Sequence, residues 1–463
     1  MTPQQMEANR TIAAKYVWQA PEWPDFKFSR SALADELALF AKTLAETKKA
    51  LRKPQPLEDV AGAMTEEAVR TSEMEGVEVD EGVVMSSVCR ALGVAGAPSG
   101  LPKDARAEGV AKMMLSVRRD WERPLSADML KDWHGSLLSM DPRGATAGAF
   151  RNSPEPMRVV RTNAYGEMEI RYEAPPSERV PEEIDRFVRR WREGAAKPAD
   201  VALKAAFMHP HFESIHPFED GNGRVGRALV AKTLAEGLGL PVVLPVSTII
   251  ARHRRAYYEE LNAASLSLDW TPWAAFFIPV LSETLTDFLA AMRFVAAKRD
   301  FLAKNEQRMS ERAKKVILRM FRDGEEGIRA GLSAAKWERM AKVSKPTATR
   351  DLAELERTGV IVAEGAGPTT RYRLNCPLCE PIDPIKDPIH GSIGEDVLRL
   401  VTANPGINRE RLASRVGRSV ETVKRAIAAL VADGKIEHRG SRKTGGYFPL
   451  GRFEENGGNN RSD

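Results

Sequence analysis

Through most of the first 300 residues apolar positions recur every three or four places, and the breaks in that rhythm carry the information. SRSALADELALFAKTLAETKKAL, opening after an N-capping Ser, predicts a helix in a short lead-in that also holds Trp18 and Trp23. Residues 58–93 predict two helices broken around Glu75 and Gly76, the second ending at a glycine. RAEGVAKMMLSVRRD and SADMLKDWHGSLL predict two more. The period then drops to two: PMRVVRTNAYGEMEIRYEAPP alternates apolar and polar residues on both sides of Asn163 to Gly166, which predicts a β-hairpin ended by Pro175 and Pro176. Helical spacing returns at PEEIDRFVRRWREG, DVALKAAFMHPHFESIH, RVGRALVAKTLAEGLG, RHRRAYYEELNAAS and TPWAAFFIPVLSETLTDFLAAMRFVAA. The expected fold class is mainly α, an all-helical body with one hairpin.

Beyond residue 305 one pattern occurs twice. ERAKKVILRMFRDG, LSAAKWERMAKV, SKPTATRDLAELERTG and VIVAEGAGPTTRYRLN read as three helices and a hairpin; IGEDVLRLVTANPG, NRERLASRVG, SVETVKRAIAALVADG and KIEHRGSRKTGGYFPL repeat the order. Each third helix has a Ser N-cap candidate, Ser344 or Ser419, and the arrangement resembles a winged helix-turn-helix. With Ala348, Leu352 and Leu355 as one buried stripe, Lys345, Thr347, Thr349 and Arg350 face outward. With Val423, Ile427 and Leu430 as the other, Lys424 and Arg425 do, joined by Arg439, Arg442 and Lys443 in the wing. The resulting division is a lead-in at 1–57, a helical body at 58–300, winged units at 301–375 and 391–450, a Pro-rich linker at 376–390, and a tail at 451–463 expected to be disordered.

Charge changes the picture. The 463 residues carry a net +5, but residues 301–463 hold 30 Lys+Arg against 22 Asp+Glu while residues 1–300 hold 39 against 42. The basic third is where an anionic partner is expected, and DNA phosphates are the candidate. A protein-binding use of the same fold remains the alternative.

The start, MTPQQMEANR, lacks a basic region followed by an apolar one, and no run approaches ~18 apolar residues, so neither export nor membrane insertion is expected. Cys89, Cys376 and Cys379 are too few and uneven for a disulfide framework; a reducing cytoplasm is the expected compartment, and NCPLCE reads as linker thiols.

The densest chemistry is HPFEDGNGRVGR, residues 216–227. Pro217 ends the preceding helix, so His216 is presented from a loop as a general base. Asp220 stands where a carboxylate could hold a hard cation. Gly221 and Gly223, flanking Asn222, let backbone amides turn toward an anion at a helix N-terminus. Arg224 and Arg227 lie one helical turn apart and can clamp phosphate oxygens. Base, cation ligand, anion nest and two guanidiniums together describe a phosphoryl-type transfer site.

HPFEDGNGR followed by VGR matches in full the HxFx(D/E)GNGRxxR signature of the Fic family, whose members mostly transfer AMP from ATP to a protein hydroxyl. The resemblance covers roughly residues 60–295, and the lead-in WQAPEWPDFKF is similar to a module that often precedes Fic domains. It implies His216 as base, Phe218 as buried anchor, Asp220 as Mg²⁺ ligand, Gly221, Asn222 and Gly223 as phosphate cradle, and Arg224 and Arg227 on the phosphates of ATP. Relatives that phosphorylate tend to carry lysine at the place of Gly223, so AMP transfer is the implied reaction. The hairpin looks like the family's target-positioning flap; Ile170, Arg171, Tyr172 and Glu173, with Tyr257 and Tyr258, are expected to border the nucleotide. The implied partner is a target protein with a hydroxyl side chain or the chain itself, and a homodimer is allowed.

TSEMEG, residues 71–76, resembles the family's inhibitory motif [S/T]xxxE[G/N], with Thr71, Glu75 and Gly76 in register. An acid paired with Arg227 would occupy the guanidinium that a γ-phosphate needs. It could also orient a water for removing AMP. A DNA-binding regulator whose Fic body senses nucleotide or modifies itself is the alternative reading.

Overall fold

The computed structural model describes residues 15–450 apart from 52–54, 139–145, 163–167, 193–196, 323, 325–327, 329, 366, 377–392, 404–405, 410–411, 413–419 and 441–444. The hairpin turn, most of the linker, Cys379, Ser419, Arg442, Lys443 and the C-terminal tail lie outside the described residues.

In chain order the helices are α1 (Ala34–Ala50), α2 (Leu57–Met74), α3 (Glu81–Leu92), α4 (Ala105–Arg119) and α5 (Ala127–Leu138). Strands β1 (Arg158–Thr162) and β2 (Met168–Glu173) follow, then α6 (Val180–Trp191), α7 (Pro198–Ile215), α8 (Asn222–Leu238), α9 (Val246–Arg252), α10 (Arg254–Ala264) and α11 (Thr271–Asn305). The expected all-helical body with one hairpin is thus present. β1 and β2 pair antiparallel, Arg158 opposite Glu173 and Thr162 opposite Met168, with an irregularity between Val159 and Val160.

Helices α7 and α8 form the centre. Phe212, Ile215, Val225, Leu229 and Leu234 are fully buried, and neither helix keeps a broad polar face because others cover them on every side. Helix α1 begins later than its serines suggest. Leu33 occupies the N-cap, fully buried, and anchors the first turn through the core instead of a hydroxyl. Helix α9, unread in the sequence, is a short element separated from α10 by His253 alone.

Helix α11 runs through residue 300 without a break. With its 3-10 end, Thr271–Arg308 is long and apolar enough to cross a membrane by length and composition, which corrects the sequence expectation that no such run exists. Its Trp273, Phe277, Leu281, Leu285 and Phe288 are buried in the protein core.

The N-terminal segment is stitched to distant elements. Val17 N–H donates to Ser265 O (2.8 Å), Trp18 Nε1 to Glu173 O (2.7 Å) and Trp23 Nε1 to the buried Glu183 Oε2 (2.9 Å). Lys27 N–H donates to Leu268 O, and Trp270 N–H to Lys27 O.

By its contacts the chain divides into two units, 1–372 and 373–463. The first holds α12 (Glu311–Arg322), α13 (Ala334–Ala341) and α14 (Lys345–Arg357), then β3 (Ile361–Glu364), which pairs with β4 (Arg371–Leu374) at the boundary. The second holds α15 (Ile393–Ala403), α16 (Val420–Ala432) and the antiparallel pair β5 (Ile436–Arg439) and β6 (Gly446–Pro449) around a core of Val397, Val401, Leu412, Val423, Ile427, Leu430 and Ile436.

Candidate functional site

His216 closes α7 in a left-handed conformation, φ 49° and ψ 60°, its N–H still donating to Phe212 O (3.0 Å). The turn that follows is built from inside. Asn222 grips the backbone of Phe218 twice: its Oδ1 accepts from Phe218 N–H (2.9 Å) and its Nδ2 donates to Phe218 O (2.8 Å). The Phe218 ring is fully buried and stacks on the His134 imidazole, centroids 3.9 Å apart. His134 Nδ1 accepts from Gly148 N–H (2.9 Å), which leaves Nε2 to donate to Asp220 O (3.1 Å). Burial holds this imidazole neutral, with a pKa lowered to about 4. Gly221, at φ 83°, starts α8 where a β-carbon would press on Leu137 and His134.

Gly223 lies in the first turn of α8, and a β-carbon there would collide with Glu75 Oε1. One turn on, Arg227 is 1% exposed, an unusual place for a guanidinium. Its Nε donates to Thr71 Oγ1 (2.9 Å), and Nη2 donates to Thr71 O (2.9 Å) and Glu75 Oε1 (2.8 Å). Burial is the largest influence and works against its charge, but Glu75, with Tyr257 and Tyr258, more than offsets it and raises the pKa above the usual arginine value. Glu75 sits at the C-cap of α2, and Gly76 beyond it takes φ 69°. Met74 O accepts from Arg254 Nη2 (3.1 Å) and Tyr258 Oη (3.3 Å), so a cation satisfies the negative end of α2.

Glu75, His216, Gly223 and Arg227 open onto one cavity of about 990 Å³, bounded opposite by Val159, Val160, Arg171 and Tyr172 of the hairpin and by Arg254, Tyr257, Tyr258 and Asn262. Of the four hairpin residues expected at the nucleotide, Arg171 and Tyr172 reach the cavity. Ile170 is instead exposed and Glu173 turns to Arg158 (2.9 Å). The irregularity beside Val159 and Val160 accompanies this uneven presentation of side chains. Tyr172 is buried with its hydroxyl donating to Ser214 O (2.6 Å). Tyr257 is buried too, its hydroxyl paired with His209 Nε2 (2.7 Å), whereas Tyr258 is 40% exposed.

Asp220, Gly221, Asn222 and Arg224 form the turn and first helical turn that carry Gly223 to the cavity without lining it themselves. Arg224 is buried and its Nη2 meets Asp220 Oδ1 (3.2 Å), which also accepts from Gly221 N–H (2.6 Å). Among the described residues no group of three His, Cys, Asp or Glu gathers as a metal site. A single carboxylate beside an anion cradle fits Mg²⁺, which takes most of its ligands from phosphates and water.

Sequence reasoning missed Glu213, Arg151, His134 and Arg254. Glu213 lines the cavity, its Oε2 3.8 Å from His216 Nδ1, and burial, reinforced by Glu75, pushes its carboxyl up to about 8. The only signal for it was an acid three residues before His216, one turn back on the same helix.

The DNA candidates sit on α14, α16 and β5. Lys345, Thr349 and Arg350 are exposed on α14 and Thr347 is half-buried; the hydroxyls of Thr347 and Thr349 are engaged locally, by Ser344 Oγ (3.0 Å) and Lys345 O (3.0 Å). Lys424 and Arg425 are exposed on α16, and Arg439 in β5 pairs with Glu437 (2.6 Å).

Residues 124–234 match the Fic/DOC family, residues 16–94 a domain of unknown function (DUF4172), and residues 393–437 a winged helix-turn-helix DNA-binding domain. The chain is 38% identical over 91 residues to a probable protein adenylyltransferase of Aquifex aeolicus, covering 20% of this chain and 26% of that protein. It is 32% identical over 94 residues to protein adenylyltransferase fic-1 of Caenorhabditis elegans, covering 20% and 17%. The match therefore spans about a quarter or less of these relatives' length. A solved Fic family protein from Desulfovibrio desulfuricans G20 aligns over 76% of this chain and 98% of its own at 18% identity, with a TM-score of 0.46. The chain thus carries a Fic/DOC domain, with a DUF4172 region on its N-terminal side and a winged helix-turn-helix domain near its C-terminus.

Proposed function

We propose that the protein transfers AMP from ATP to a hydroxyl of a protein and is restrained by its own Glu75. The observation that carries this reading is the convergence of His216, Gly223, Arg227 and Glu75 on one cavity. His216 accepts the proton of the incoming hydroxyl, whose oxygen bonds to the α-phosphorus as the bond to the pyrophosphate oxygen breaks and pyrophosphate leaves. Burial, then Arg151, lowers the His216 pKa to about 4, so the imidazole is neutral and able to take that proton at pH 7. The N-terminal amides of α8, with Arg224 and Arg227, meet the phosphate charge. Mg²⁺ held by Asp220 would neutralise phosphate oxygens.

With Arg227 paired to Glu75, that guanidinium is engaged and the neighbouring Gly223 is in contact with the carboxylate. ATP in this state binds without its full set of phosphate contacts. The test uses ATP labelled on the α- or the γ-phosphate: protein-bound label from the α-position alone supports AMP transfer, and label from the γ-position overturns it in favour of phosphorylation.

A second role rests on the winged helix-turn-helix match at residues 393–437 and on the basic C-terminal third. In that reading the chain binds DNA through α16 and the AMP-transfer site controls or marks the bound protein. The two readings are compatible.

A further inference from the structure

We propose that Arg151 is the positioning residue of the catalytic turn: its guanidinium holds the backbone of His216 in the left-handed conformation that presents the imidazole, and ties that turn to the foot of the hairpin. The kinetic part of this proposal rests on the AMP-transfer reading; the spectroscopic part does not.

Arg151 lies in the loop between α5 and β1, 4% exposed, with nearly every donor committed. Nε donates to His216 O (2.8 Å) and Nη2 to Ile215 O (3.3 Å), while its own backbone N–H donates to Pro217 O (2.9 Å). Three consecutive carbonyls of the turn are therefore received by one residue. On the other side Nη2 also reaches Pro175 O and Nη1 reaches Ser177 Oγ (3.0 Å), just past the end of β2. Ser177 Oγ in turn donates to Ser153 O (2.6 Å).

Two features make this more than a brace. His216 is one of two non-glycine residues with positive φ among the described residues, and side chains bearing a β-carbon resist that region unless their surroundings fix it. The carbonyls at the end of α7 lack helical partners and carry the negative end of its dipole, and Arg151 supplies both donors and positive charge there. A lysine could supply the charge but not the planar fork of donors.

Arg151 also acts on the imidazole. The charged or titratable groups that bear on His216 are Arg151 on one side and Glu213, Glu75 and Asp220 on the others. After burial, Arg151 is the largest influence favouring the neutral ring, opposing the Glu213 backbone, Glu75 and Asp220. Arg151 does not line the cavity; its guanidinium is taken up by the carbonyls of Pro175, Ile215 and His216 and by Ser177 Oγ.

The experiment uses the full chain with Glu75→Gly as parent and compares Arg151→Met with Arg151→Lys. His216 is titrated by NMR, its signal assigned by loss in His216→Ala, and kcat and KM for ATP are measured from α-labelled AMP incorporation. In Arg151→Met the His216 midpoint should rise by about one unit, and kcat should fall about 100-fold with KM within about twofold. In Arg151→Lys the midpoint should stay near the parent's while kcat still falls. A merely structural brace would lower the melting temperature and move neither the midpoint nor kcat of the folded protein. A parental midpoint in Arg151→Met or a parental kcat in Arg151→Lys overturns the proposal; if the Met variant does not fold, the Lys variant decides. If the parent incorporates no AMP yet the midpoint shifts, the AMP-transfer reading fails and the electrostatic coupling of Arg151 to His216 stands.

Discussion

Arg227 Nη2 lies 2.8 Å from Glu75 Oε1 and 2.9 Å from Thr71 O, so one buried nitrogen is shared between the acid and the helix that carries it. Removing the acid leaves Arg227 with Thr71 on both Nε and Nη2, a guanidinium still oriented but with one acceptor fewer. Glu75→Gly should therefore raise AMP incorporation about 10–100-fold, the equivalent of releasing about 1.4–2.7 kcal/mol of competition, with little change in melting temperature. Incorporation from α-labelled ATP reads this, and an unchanged level would argue against the brake.

Gly223 and Glu75 should be energetically coupled. A methyl at residue 223 meets Glu75 Oε1 and lies 3.0 Å from Arg227 Nη1, so the acid cannot keep its present pose. In a double-mutant cycle, Glu75→Gly should activate Gly223→Ala less than it activates the parent. Equal activation in both backgrounds would show the two positions to be independent.

His216→Ala should lower incorporation about 10²–10⁴-fold, the range of general-base catalysis. Since burial, then Arg151, lowers the His216 pKa to about 4, the activity of Glu75→Gly should stay level from pH 8 to about pH 6 and fall only toward pH 4. An acid limb centred near the ordinary histidine value of 6.5 would contradict this placement.

Stability should respond to Glu67 in the opposite direction along the pH scale. Its buried carboxyl accepts from Ser247 N–H (2.8 Å) and Ser247 Oγ (2.6 Å) at the start of α9; burial, only partly offset by Ser247 and Arg227, pushes it from 4.5 up to about 8. Between those values the unfolded chain has lost the proton that the folded one keeps, so this contribution is full below pH 4.5 and is lost as pH rises through about 8. Glu67→Gln keeps a side-chain oxygen to accept from Ser247 N–H and no longer titrates. Its melting temperature should decline less than the parent's between pH 6 and pH 8.5, by up to about 1.4 kcal/mol per pH unit in stability. Parallel pH profiles would sink the assignment.

DNA binding, if α16 carries it, should weaken in Lys424→Glu/Arg425→Glu, with the salt slope of affinity falling by about 0.9 for each phosphate no longer neutralised. Fluorescence anisotropy with a mixed-sequence duplex measures both. An unaltered slope would remove these two residues from the interface.

Local chemistry was legible in the sequence and long-range clamps were not. Pro217 announced the end of α7, Gly76 the end of α2, and alternation the hairpin, because each acts on its own neighbourhood. Thr71 was legible as a spacing but not as a partner of two guanidinium nitrogens, which depends on how α2 crosses α8. Arg151 reaches a histidine 65 positions away, and His134 meets Asp220 across 86. Nothing in RNSPEP or DWHGSLL states those distances. The tyrosine pair shows the same limit: the family resemblance set both Tyr257 and Tyr258 at the nucleotide, but only the fold separates a buried hydroxyl bonded to His209 from a ring at the rim.

The residues ahead of α1 join Ser265 through Val17 and Glu173 through Trp18, two points that flank the pocket from different sides. Cleaving or crowding that leader would thus act like loosening a drawstring. The gap between hairpin and α10 is held in part by Val17 and Trp18, neither of which lines the cavity.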